Sequence, residues 1–114
     1  MADCIFCSIV SGVVPADKVA ENAEVIAFRD LSPVASTHVL VIPRRHLANA
    51  SDITPDDGDL VAGLFATATE VAISEGVDRS GYRLVFNVGE DAGNTVAHLH
   101  LHVIGGRSLS WPPG

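Results

Sequence analysis

His98, His100 and His102 occupy alternate positions in the segment His98-Leu99-His100-Leu101-His102-Val103-Ile104, which holds three of the chain's five histidines. Side chains on a β-strand repeat every two residues, so this spacing puts all three imidazoles on one face and Leu99, Leu101 and Val103 on the other. The apolar face suits a core, and the imidazole face suits a surface or cleft. Imidazole is a nucleophile, a general base near neutral pH and a metal ligand. At a rise of about 3.3 Å per residue, His98 and His102 start roughly 13 Å apart, too far for all three rings to share one ion. One ring can still join a metal site completed from elsewhere. His100, with an imidazole on either side, is the best placed to act as nucleophile or base. The competing account is structural: histidines filling the polar side of a half-buried strand.

Two other groups could carry chemistry. Cys4-Ile5-Phe6-Cys7 is a Cys-x-x-Cys pair that offers two thiolates to a tetrahedral zinc ion and needs histidines to complete it. Reduced spectator thiols and a redox dithiol are the other readings of that pair. Gly93-Asn94-Thr95, just before the histidines, and Asn87 could cradle phosphate oxygens with backbone amides, a hydroxyl and a carboxamide, adding no positive charge. The same residue types also make an ordinary hairpin connection.

These groups need elements to position them. Cys4 to Val10 has helical apolar spacing through Ile5, Phe6 and Ile9 and stops near Ser11-Gly12. Lys18–Glu21 and Glu24–Arg29 read as strands around an Asn22-Ala23 turn, and His38–Ile42 as a third strand stopped by Pro43. Thr54-Pro55-Asp56-Asp57 is a helix start with an approximate capping box, and Leu60, Leu64, Ala68, Val71 and Ala72 carry the helix to Gly76. Tyr82–Val88 and the histidine segment are the last two strands. Helix, three strands, long helix and two strands make an α+β domain with a largely antiparallel sheet.

Composition narrows the partners. A chain of 114 residues forms one domain, here residues 1–114, and its 47% hydrophobic content excludes disorder. No apolar run reaches the roughly 20 residues that span a bilayer. A net charge of −7 disfavours nucleic acid and anionic membrane, so an anionic ligand needs a dedicated local site. No secretory signal pattern opens the sequence, which places the protein in the cytoplasm with reduced cysteines.

With those residues in view, the chain resembles the histidine-triad (HIT) nucleotide-binding proteins, whose signature is His-x-His-x-His followed by apolar residues. The resemblance covers nearly the whole chain. It extends to Phe28-Arg29-Asp30-Leu31-Ser32-Pro33, to Thr37 through His46, and to the ending Gly105-Gly106-Arg107 through Trp111-Pro112-Pro113-Gly114, which is similar to the Hint branch.

The resemblance implies a HIT-like fold: a five-stranded antiparallel sheet with one long and one short helix, extended across a homodimer with Trp111 near the partner's active site. It implies hydrolysis of purine nucleoside phosphoramidates, of the AMP-amine or AMP-lysine type, through a nucleotidyl-histidine intermediate on His100. His102 would help hold the phosphate, and His38 would support the cluster. Thr95 stands where the family usually has Ser, keeping the hydroxyl. Asn87 and Gly93 match phosphate-side positions. Ile5, Phe6, Ile9, Phe28 and Leu31 match the nucleoside pocket, and Asp30 the carboxylate that binds ribose hydroxyls.

Some relatives carry a structural zinc on a cysteine pair and two histidines; the matching residues are Cys4, Cys7, His46 and His98. No organic cofactor is expected. The alternatives are a HIT hydrolase of dinucleoside polyphosphates, a non-catalytic purine nucleotide sensor, and a hydrolase that uses a metal directly.

Overall fold

The computed structural model describes residues 4–114. Helix α1 (Ile5–Val10) leads into strands β1 (Lys18–Glu21), β2 (Val25–Arg29) and β3 (Thr37–Pro43), then helix α2 (Gly58–Ser74) and strands β4 (Tyr82–Val85) and β5 (Leu101–Gly105). The five strands form one sheet in the order β1-β2-β3-β5-β4, and every pairing is antiparallel. The expected α+β class and antiparallel sheet are both present.

Local chemistry sets the boundaries. The β1–β2 turn closes on the Asn22 carboxamide, whose Oδ1 accepts from the backbone N–H groups of Glu24 and Val25, each at 3.0 Å. The long helix begins later than the sequence suggests: Pro55–Asp57 form a 3₁₀ turn, and the α-helix starts at Gly58. The capping pair is still made, with the Thr54 N–H donating to the Asp57 carboxylate at 2.9 Å. At the far end Gly76 takes φ +76°, and the Val77 N–H reaches back to the Ala72 carbonyl at 3.0 Å. Glycine adopts that left-handed conformation without a Cβ penalty, so the helix stops where the sequence places its stop.

β3 is the middle strand, and all seven of its residues are buried. Alternation sorts the side chains of the sheet onto two faces. Val25, Ala27, Val39, Val41, Leu101 and Val103 pack with Leu64, Ala68 and Val71 of α2. Ile26, Phe28, Leu40 and Ile42 face the other way and are covered by Phe6 and Ile9 of α1. Burial of a large apolar side chain contributes about 1.5–3 kcal/mol, so each layer stabilises the sheet on its own side. His38 and His102 share the face of Leu40, so a site built on those imidazoles lies on the α1 side.

Four strands differ from expectation, β3 by one residue at each end, running from Thr37 through Pro43. β2 starts at Val25 because Glu24 belongs to the Asn22 turn. β4 ends at Val85, leaving Asn87 and Val88 in the following loop. β5 begins only at Leu101, so His98 and His100 lie in the segment that leads into the strand, where the chain bends at His98. The alternation survives this correction: Leu99 packs in the α2-side core with Leu101 and Val103, while Phe6 meets the rings of both His98 and His100.

Candidate active site and metal centre

Strand register brings the first pair together. His38 lies opposite Ile104 and His102 opposite Leu40, so the two imidazoles are diagonal neighbours on one face of the sheet. His38 Nε2 is 2.9 Å from His102 Nδ1. The Val34 N–H donates to His38 Nδ1 at 3.2 Å, which leaves the proton of that ring on Nε2, aimed at His102. His102 Nδ1 therefore accepts, and its own proton sits on Nε2.

That Nε2 is buried and has no hydrogen-bond partner among the described residues. Burial, together with the neighbouring His100 and His38 rings, lowers the His102 pKa to about 4, so the ring is neutral at physiological pH. An unpaired buried donor costs about 1–3 kcal/mol, and an incoming acceptor would recover it.

His100 has the opposite tautomer. Its Nδ1 lies 2.7 Å from the His98 carbonyl oxygen, which can only accept, so Nδ1 carries the proton and Nε2 keeps a free lone pair. Its ring centroid is 5.0 Å from that of His102, and the Phe6 ring meets it edge-on at 5.4 Å. One imidazole thus offers a lone pair while its neighbour offers an N–H.

The two rings open on a cleft of about 300 Å³. Ile5, Phe6, Ile9, Phe28, Asp30, Leu31, Asn87, Gly93, Thr95, His100 and His102, all singled out in the sequence, line it. Leu31 does so from the rim, 98% exposed. His38 stands behind the cleft at 7% exposure and touches two of its lining residues, His102 and Asp30. Phe6 and Phe28 pack edge to face at 5.4 Å, forming an apolar end. Asp30 Oδ1 accepts from the Ser32 N–H at 2.8 Å, and Oδ2 lies 3.5 Å from His38 Nε2.

Sequence reasoning missed Val14, Pro15, Ala16, Asp17, Arg29, Leu40 and Val96, which also line the cleft. Leu40 was within reach, since it shares the His38 face by alternation. The residues after α1 carry no signal of their own. A roomier depression of about 500 Å³ beside the end of α2 is lined by serines, glycines, Val77, Glu75 and Arg107, with no histidine or cysteine. Chemistry rather than size selects the histidine cleft.

The third histidine of the row has a different destination. His98 is fully buried, so the expectation that all three imidazoles face a surface or cleft does not hold for it. Its Nε2 donates to the Pro43 carbonyl at 2.9 Å, which turns the Nδ1 lone pair toward Cys4 Sγ at 3.3 Å and Cys7 Sγ at 3.5 Å. His46 Nδ1 lies 3.2 Å from His98 Nδ1 and 3.3 Å from Cys7 Sγ. A hydrogen bond from the Leu99 N–H to the Leu47 carbonyl holds the two segments together.

The four donor atoms lie within 4.8 Å of one another, and the cluster could hold a metal ion. A histidine ligand whose second nitrogen donates to a carbonyl is the usual outer-sphere arrangement. Burial pushes the His98 pKa below its ordinary value, favouring the neutral ring that a metal requires. Asp30, His38 and His102 also converge. Turning His38 Nε2 into a metal ligand, however, would put its Nδ1 proton against the Val34 N–H, so that group is a hydrogen-bond chain.

Residues 11–109 match the HIT domain family model. An uncharacterized HIT-like protein of Synechococcus elongatus is 46% identical over 98% of this chain and 97% of its own length. A HIT family hydrolase from Legionella pneumophila superposes with a TM-score of 0.96 at 46% identity, covering 98% of this chain and 100% of that one. A histidine triad nucleotide-binding protein from Candida albicans does so with a TM-score of 0.83 at 30% identity, over 96% of this chain and 83% of that one. The imidazole row leading into β5, the sheet beside it and these likenesses agree: the chain belongs to the HIT family.

Proposed function

We propose that this protein is a purine nucleoside phosphoramidate hydrolase working through a nucleotidyl-histidine intermediate. The observation that carries the reading is the pair of opposite tautomers in one cleft: His100 with a free Nε2 lone pair, and His102 with an unpartnered Nε2–H beside it. A nucleoside monophosphate derivative needs both, one nitrogen to attack the α-phosphorus and one donor for a non-bridging oxygen. Likeness to a HIT family hydrolase and to a histidine triad nucleotide-binding protein supports the same class. The Trp111-Pro112-Pro113-Gly114 ending supports the Hint branch.

In this reading the purine packs against Phe6 and Phe28, and Asp30 accepts from the ribose hydroxyls. His100 Nε2 attacks phosphorus; the phosphorus–nitrogen bond breaks, and the amine leaves with a proton. Asn87, Gly93 and Thr95 donate to the phosphate side as charge develops. Water then cleaves the phosphorus–imidazole bond, returning His100 to its starting tautomer. The hydrogen bond from Nδ1 to the His98 carbonyl holds the ring in place through both steps.

The metal is zinc and structural. Bond lengths of about 2.3 Å to sulfur and about 2.0–2.1 Å to nitrogen in a tetrahedron place donor atoms roughly 3.3–3.8 Å apart, close to the spacings in the Cys4, Cys7, His46 and His98 cluster. Zinc there would fix α1 to the approach to β5.

The assembly is a homodimer that extends the sheet, with Trp111 near the partner's site. β4 pairs only with β5 and so offers a free edge, and Phe65, Ile73 and Trp111 are exposed apolar side chains. Sedimentation as a monomer would overturn this. The cytoplasm is the location, consistent with two free cysteines.

The test is amine release from a fluorogenic adenosine phosphoramidate, with His100→Ala alongside and with brief chelation. Turnover that vanishes in the variant and survives chelation is expected. Wild type that cleaves only dinucleoside polyphosphates, or binds AMP without turnover, would replace this reading with the polyphosphatase or the sensor. Turnover lost at once on chelation would point to direct metal catalysis.

A further inference from the structure

Helix α1 buries two side chains, Phe6 and Ile9, and both line the histidine cleft. The same helix carries Cys7, and Cys4 caps its N-terminus by accepting from the Cys7 N–H through Sγ at 3.3 Å. Six residues are too few to hold helical structure alone, since isolated helices shorter than about 12–15 residues are marginal even in favourable sequences. What keeps α1 on the sheet is therefore its two apolar contacts and its two sulfurs. Those sulfurs reach His46 and His98, and the carbonyl of His98 in turn holds the His100 proton.

Both cysteines are only partly buried, and their sulfurs lie within 4.8 Å of each other. A disulfide needs a sulfur–sulfur distance of about 2.05 Å, and sulfur in that bond carries no charge to give a metal. We propose that Cys4 and Cys7 form a peroxide-sensitive switch on the nucleotide cleft: oxidation to a disulfide releases the metal and unpins α1. This rests on the zinc and purine nucleotide readings above.

The chemistry balances with a hydroperoxide as oxidant. One thiolate attacks a peroxide oxygen and the O–O bond breaks; the departing hydroxide takes a proton and leaves as water, and the attacking sulfur becomes a sulfenic acid. The second thiolate attacks that sulfur, the S–O bond breaks, and a second water leaves. Two electrons pass from sulfur to peroxide, and one disulfide forms. Only His46 and His98 then remain as ligands, two where a structural site uses four. Phe6, which packs against Phe28 and the rings of His98 and His100, loses its anchor, and the apolar wall of the cleft goes with it.

The experiment uses the zinc-loaded wild-type chain, because a cysteine variant would remove the anchor by itself. Zinc release is followed with a chromogenic chelator, the peptide holding Cys4 and Cys7 is weighed, and AMP affinity is measured by calorimetry. Each is read before hydrogen peroxide, after it, and after reduction with added zinc. Expected are metal release, a peptide lighter by two hydrogen atoms, AMP binding weakened by about tenfold or more, and recovery of all three on reduction.

Zinc retained with intact thiols, sulfinic acid in place of the disulfide, or zinc released with unchanged AMP affinity would each overturn the switch and leave the two earlier readings standing. Protein that purifies without zinc would overturn the metal reading and the switch with it. Reduced, zinc-loaded protein that does not bind AMP would overturn the nucleotide reading and its regulation together.

Discussion

The Nδ1 of His100 lies 2.7 Å from the carbonyl oxygen of His98, whose own ring points its Nδ1 into the Cys4, Cys7 and His46 cluster. One residue thus joins the two centres: its side chain belongs to the cysteine–histidine cluster and its backbone fixes the tautomer of the neighbouring imidazole. A change in either centre reaches the other through a single peptide unit.

Removing the free lone pair should abolish chemistry while sparing binding. His100→Ala is expected to lower turnover of an adenosine phosphoramidate by at least about 10³-fold. AMP affinity by calorimetry should change far less, because Phe6, Phe28 and Asp30 remain. Equal losses in both would show that His100 serves binding rather than attack.

His38 does not line the cleft and should act as a positioning residue, through its hydrogen bond to His102. With His38→Ala nothing fixes the proton of His102 on Nε2, and the ring samples both tautomers. A fall of about 10²-fold in kcat with KM little changed is expected. Ring nitrogen chemical shifts of His102 should move from one tautomer to a mixture; a variant that keeps the wild-type shifts would show that Val34 and His38 do not set the tautomer.

Acid should destabilise the protein partly through His102. Its folded pKa of about 4 lies below the ordinary imidazole value of about 6.5, so the unfolded chain binds more protons between those limits. Its contribution to stability is complete above about pH 6.5 and declines as the pH falls toward 4. Melting temperatures from pH 4 to 8 should drop on the acid side, with a shallower slope for His102→Gln. Parallel slopes would remove His102 from the account.

Metal analysis of protein purified without a metal-affinity tag should give close to one equivalent of zinc. Stripping it is expected to lower Tm by more than about 5 °C, because binding to a preformed cluster adds directly to folding stability. An unchanged Tm would make the cluster a set of spectator thiols.

Packing between β5 and the end of α2 leaves no room at Gly105. A Cβ there would sit 3.0 Å from Val77 Cβ and 3.2 Å from both its methyl groups. Gly105→Ala should cost about 1–3 kcal/mol in urea unfolding, as overpacking does, and leave AMP affinity of the folded protein intact. A neutral result would show that Val77 can move aside.

Much of the fold was legible because it rests on local signals. The Asn22 turn, the Thr54 and Asp57 capping pair, the Gly76 stop and the alternation of the β3 and β5 residues are each written in neighbouring residue types. Strand ends were less legible. β5 begins at Leu101 and β4 ends at Val85 where their pairing with β3 and β5 stops, and pairing of that kind is long-range.

The sequence by itself determined which residues could react and which face of the chain they share: a period of two sets the His98, His100 and His102 row against Leu99, Leu101 and Val103. Only the tertiary structure decided what each imidazole does. Identical side chains differ by what their second nitrogen meets: for His98 the Pro43 carbonyl and for His102 the His38 ring, both from distant segments, and for His100 the carbonyl of His98 two residues before it. A hydrogen bond fixes the position of one proton, and that position decides which nitrogen of each ring keeps its lone pair and where it points.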